Sequence, residues 1–254
     1  MATKISITKD TVFTSESGQL ANNTTLFVKW IERAKSDTDS TDSDFSATES
    51  ELEHADIEIK ISCDTTNLTI VCKSMPSNDY SCSIYLSNSR HQNLKIFSDG
   101  QPVSINFTKC ETVGSTIGMG GQCQHDINFV QSQIDRQEIN GQSIDISLVD
   151  CKMSGSEVEI WSSYAGDGTI KIDGSVIDST KITIHGEDNK IFRSKFIDST
   201  ISFESTAEVT ESTFDKCTIF AHNDHVGSNS LSIPFESLSP DCQTLYHDVD
   251  KPDN

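Results

Sequence analysis

The sequence predicts an all-β chain, a single-domain parallel β-helix in which coils of about 20 residues stack as a three-sheet solenoid between short helical caps. Three observations predict it. Apolar residues recur in three columns that move together. The first is Ile105, Ile127, Ile146, Ile170, Ile191 and Val209, and the second is Val113, Ile134, Met153, Val176, Phe196 and Phe214. The third is Ile117, Ile139, Val158, Ile182, Ile201 and Ile219. All three lengthen to 23 or 24 residues at the step into Ile170, Val176 and Ile182, and all shorten to 18 at the last step. A second apolar residue follows many column members at a spacing of two, as with Phe107, Phe129, Leu148, Met119, Ile160 and Ile184. That spacing puts both side chains on one face of a strand, whereas a helix needs spacings of three and four. Finally, only 34% of the chain is apolar and 7% aromatic, an economy that thin coils tolerate better than a globule does.

Residues 1–56 read as an N-terminal cap. Leu26, Phe27, Trp30, Ile31 and Ala34 follow Thr24 and Thr25 at helical spacing, predicting a short amphipathic helix laid over the first coil. From Asp37 to Glu58 the chain carries nine acids and no Lys or Arg, around the low-complexity run Ser36 to Asp44. Its composition is that of a solvated loop. The alternative is a weak Ca²⁺ site, although the missing glycine at the sixth position excludes an EF-hand.

Residues 57–220 read as the coils. Gly114, Gly141, Gly155, Gly168, Gly174 and Gly186 fall between columns, where tight bends are expected. Cys151 takes the place held by Ser132, Ser194 and Ser212, and Cys217 that of Ser199, so each is expected as a small stacked side chain with a free thiol. No Cys-x-x-Cys is present, which disfavours a zinc ribbon. From Ile57 to Phe220 the pattern resembles the right-handed parallel β-helix of pectate-lyase-like proteins and phage tailspikes, in architecture only. A pentapeptide-repeat β-helix fits Ser194 to Asp198 and Ser212 to Lys216 but fails upstream of Gly174.

Residues 221–254 read as a C-terminal cap and acidic tail. Leu231, Ile233, Phe235 and Leu238 are placed to close the last coil. Ser239, Pro240 and Asp241 then supply a cap, a first-turn proline and an acid, predicting a helix through Leu245.

A formal charge of -20 and a pI near 4.5 argue against nucleic-acid binding. No apolar run is long enough to cross a membrane, and the start Met1 to Ser6 has no apolar signal core, so synthesis in the cytoplasm is expected, with incorporation into a virus particle as one destination. Asp178 and Asp198 occupy matched strings, Val176 to Ser179 and Phe196 to Ser199. On adjacent coils this would bring the carboxyls about 5 Å apart, the separation retaining glycosidases use. Trp161 and Tyr164, on a longer coil, are further candidates for ligand contact, and His222, Asp224 and His225 form a weak candidate metal set. His125 and His185 read as isolated.

Three function classes follow. The first is a non-enzymatic structural or attachment protein that needs no cofactor and meets protein partners in an assembly, or a surface glycan; oligomers are compatible with it. The second is a carbohydrate-binding or polysaccharide-degrading protein that uses the stacked aspartates. The third is an acidic mimic of DNA, weakened because the acid concentrates in one segment. The first is the expectation.

Overall fold

Strand after strand pairs only in parallel, and each coil lays its three strands directly on those of the coil before. The computed structural model describes residues 3–7, 11–14, 20, 23–28, 56–72, 81–121, 123–161, 168–186, 188–203, 207–222 and 237–247. Its strands form sheets of 11, 9 and 8 members, here sheets A, B and C. One coil runs Val103–Thr108 in B, Glu111–Val113 in C and Thr116–Gly120 in A, and the next begins at His125–Val130 under the first of these. In B and A the buried and outward residues alternate, with Val103, Ile105 and Phe107 buried and Ser104, Asn106 and Thr108 outside. Strands of C are mostly three residues long and bury only the middle one. The resulting core is continuous from Phe13 to Ile219.

Corners explain the Ser/Cys columns. Most B-to-C and C-to-A corners bend through a residue of positive φ, such as Arg193 at 45° or Asp198 at 46°, and the residue after it, usually small, turns inward. The N–H of Ser175 donates to Ser194 Oγ at 3.2 Å, that of Ser194 to Ser212 Oγ at 3.1 Å, and that of Thr180 to Ser199 Oγ at 3.2 Å. Each hydroxyl in turn donates to the carbonyl two residues before it, as Ser199 does to Ile197 at 2.8 Å. A buried N–H that the sheet cannot reach is thereby satisfied by the next coil. Cysteine makes the second of these bonds as well: Cys151 and Cys217 donate S–H to Val149 and Asp215 carbonyls at 3.2 and 3.4 Å, and all eight cysteines are free thiols. At the C-to-A corner Asn23, Asn67 and Asn93 stack, each amide donating to the carbonyl oxygen of the one before at 2.8 and 2.9 Å.

The expected columns hold fully in sheet A, where Ile117, Ile139, Val158, Ile182, Ile201 and Ile219 are in-register partners. In B the column shifts by two at its fourth step, since Ile191 pairs with Ile172 rather than Ile170. A two-residue shift keeps the same side inward. In C the expectation was out by one at two coils. Thr112 and Ile177, not Val113 and Val176, align with Ile134, Met153 and Phe196.

Among the described residues no helix is present where either cap was expected. Thr24–Val28 is a strand of sheet A pairing with Thr69–Cys72, with Leu26 and Val28 inward. Trp30, Ile31 and Ala34 lie outside the described residues. At the other end Pro240 and Asp241 form a turn, and Gln243–His247 is a strand parallel to Thr218–His222. An unpaired parallel edge offers a full ladder of hydrogen bonds, and that outweighs weak helical periodicity in so short a segment. Thr3–Ile7 and Thr11–Thr14 also belong to sheets A and B, so stacking begins well before Ile57.

Candidate functional site

The register separates the two aspartates singled out by the sequence. Asp178 pairs with Ile197, and Ile197 with Asp215, while Asp198 lies one residue beyond its strand at positive φ. Asp178 instead accepts a hydrogen bond from the adjacent Ser179 hydroxyl at 3.0 Å. The matched strings mislead because Ile177, not Val176, is the partner of Phe196, just as Ser175 is that of Ser194.

A stacked carboxylate pair does exist, on sheet B. Asp126 and Asp145 are in-register partners on adjacent coils, about 4.8 Å apart along the stack. Asp145 accepts from the Thr169 hydroxyl at 2.6 Å and its N–H at 3.0 Å. Partial burial, and then the charge of Asp145, push the Asp126 carboxyl above its usual range. Sequence reading missed this pair because an outward column of mixed Ser, Asp and Thr carries no apolar period; only Ile127 pairing with Ile146 would have pointed to it.

Sheet A carries a more open feature on its outer face. A depression of about 700 Å³ is lined by Val71, Phe97, Asp99, Gly118, Gly120 and Asn140, among others. Phe97, Gly118 and Asn140 are successive in-register partners. A Cβ on Gly118 would stand 3.0 Å from Phe97 Cδ1 and 3.5 Å from Asn140 Oδ1, so the missing side chain is what lets the Phe97 ring lie across the floor. Phe97 remains 38% exposed. Three coil steps away, about 14 Å at the usual strand spacing, Trp161 is 44% exposed and stacks on His185 with ring centroids 4.6 Å apart. His185 is therefore not isolated. Tyr164, Asp224 and His225 lie outside the described residues, and His222 is described only as the last residue of its strand. Among the described residues no group of three metal-ligating side chains gathers.

Among the described residues two histidines, His91 and His125, are fully buried and held neutral. His125 Nε2 lies 3.3 Å from both Cys123 Sγ and the Gly120 carbonyl, so it too has neighbours that the sequence did not reveal. Burial lowers the His125 pKa and raises the Cys123 thiol to about 11, so the pair is uncharged at neutral pH and unlike an activated nucleophile. His91 bonds Thr65 Oγ1 and Ser89 Oγ, both at 2.8 Å, and burial, opposed by nearby Asp64, brings its pKa down to about 4. The unfolded chain takes up this proton near pH 6.5, so the stabilising contribution is complete above that pH and is lost as pH falls towards 4. Urea unfolding of wild type and His91→Gln should show their stability difference shrinking by up to about 3 kcal/mol between pH 7.5 and pH 4. A difference that does not change with pH would place His91 in contact with solvent.

No protein-family description matches this chain, and no curated protein matches it.

Proposed function

We propose that the chain is a non-enzymatic structural or attachment protein, a stiff parallel β-helix that offers its outer faces to assembly partners or to a surface glycan. The observation that supports it most is the sheet A depression. An exposed aromatic ring, a glycine floor, the Asn140 amide and the Asp99 carboxylate are held there on strands rather than loops. A flat ring favours the C–H face of a sugar or an apolar side chain, and amides and carboxylates orient hydroxyls or N–H groups. Because both lie on a continuous, in-register sheet, contact costs little ordering.

A second reading is favoured by Asp126 and Asp145, whose spacing and raised acid resemble the paired carboxylates of retaining glycosidases. One experiment separates the two. A panel of neutral and acidic glycans is scored for binding and, in parallel, for new reducing ends. Binding without turnover, weakened at least tenfold in Phe97→Ala and unaffected by Asp126→Asn, is the expected result. Turnover abolished in both Asp126→Asn and Asp145→Asn would overturn the non-enzymatic reading.

A further inference from the structure

From Ser115 to Ser199 the ladder of C-to-A corner hydroxyls is interrupted once. In the C-to-A corner column the chain places Ser115, Gln137, Ser156, Thr180 and Ser199, and the N–H groups of Gln137, Ser156 and Thr180 each meet the hydroxyl of the next coil. Gln137 is the one long side chain in that run. It puts an amide where its neighbours put a hydroxyl, and the amide is buried, with 1% of the residue exposed. Neither Nε2 nor Oε1 of Gln137 has a hydrogen-bond partner in the protein. Ser115 Oγ, one coil earlier in the same column, also lacks one, as does Thr112 Oγ1, the inward residue of the strand just before Ser115. Thr112 and Ser115 are 0% and 1% exposed.

Four polar atoms on three residues of two adjoining coils are thus buried without a protein partner. Leaving them so would cost a large part of a typical margin of stability. From this we infer that the core holds an ordered internal water between these coils, bound by the Gln137 amide with the Ser115 and Thr112 hydroxyls. The chemistry of the group selects the ligand. The amide offers both a donor and an acceptor and each hydroxyl either, which matches a molecule that donates twice and accepts twice. Beside them on sheets A and C the inward residues Ile117, Ile134 and Ile139 are aliphatic, and the buried residues of these two coils include no Asp, Glu, Lys or Arg that could hold an ion.

The test is a crystal structure of the whole chain at a resolution that shows waters, with oxygen-17 relaxation dispersion in solution to count long-lived ones. A density peak within hydrogen-bond distance of the Gln137 amide and of either hydroxyl is expected. Gln137→Met, similar in length but without the amide, should lose the peak and reduce the dispersion amplitude by the share of one water. Should that variant fail to fold, the wild-type map together with Thr112→Val decides in the same way. Direct bonds between Gln137 and the two hydroxyls with no peak between them would overturn the inference, as would a peak unchanged in Gln137→Met.

Discussion

Phe196→Ala is expected to destabilise the fold by about 3–5 kcal/mol, the range for emptying a fully packed aromatic site. Phe196 is wholly buried on sheet C and stacks on Phe214 of the next coil, ring centroids 4.9 Å apart and planes within 13°. On the other side its in-register partner is Ile177. The strand Lys195–Ile197 buries no other residue, so no neighbour on that strand can swing in to fill the space. Chemical denaturation at neutral pH measures the effect. A loss below about 1 kcal/mol, the size of an ordinary surface change, would mean that the ring is not inside.

Gly186→Ala should be comparably damaging for the opposite reason. A Cβ at Gly186 would run into the Gly168 carbonyl oxygen, with the Gly168 carbonyl carbon at 2.7 Å. Backbone, unlike a flexible side chain, cannot turn aside, and Gly168 is itself confined by Ile160 and by the Ile144 backbone. Relief therefore requires two coils to separate at the A-to-B corner, where His185 N–H bonds the Ile160 carbonyl at 3.1 Å. Overpacking a close contact costs typically 1–3 kcal/mol, and a backbone clash belongs at or beyond the upper end, about 3 kcal/mol or more. The thermal midpoint of Gly186→Ala should fall accordingly, whereas Gly155→Ala, whose nearest atom is a flexible Arg136 carbon at 3.5 Å, should fall less even with its positive φ. Equal midpoints for wild type and Gly186→Ala would show that the coils are looser at this corner than described.

Both effects follow from one property of the fold. Each coil is thin and has no interior apart from the residues that stack on its neighbours, so a change on one coil is felt directly by two others. Long-range stability is carried by repetition, and the exposed faces are left free to vary. That freedom is visible in the outward columns, which mix Lys, Glu, Asn, Thr and Phe on neighbouring strands of the same sheet.

The coil period, the parallel sheets, the sheet A column and the equivalence of Cys151 and Cys217 with serine were all readable from the sequence alone. Inward positions recur because every coil must bury the same places, and that necessity is written into composition and spacing. Three things were decided only in three dimensions. A strand with a single inward residue contains no alternation from which to choose its face, so Val176 and Ile177 could not be told apart until Ser175 met Ser194 across the coils. That one-residue difference removed Asp178 from Asp198. The terminal segments were decided by the open edges they met, since Leu26 to Val28 and Gln243 to His247 gain a ladder of hydrogen bonds that isolated helices of that length could not match. The outward pairs, Asp126 on Asp145 and Phe97 across Gly118, were set by register alone. Solvent-facing positions carry no periodic burial requirement, so which of them become neighbours depends on how the coils stack and not on any pattern along the chain.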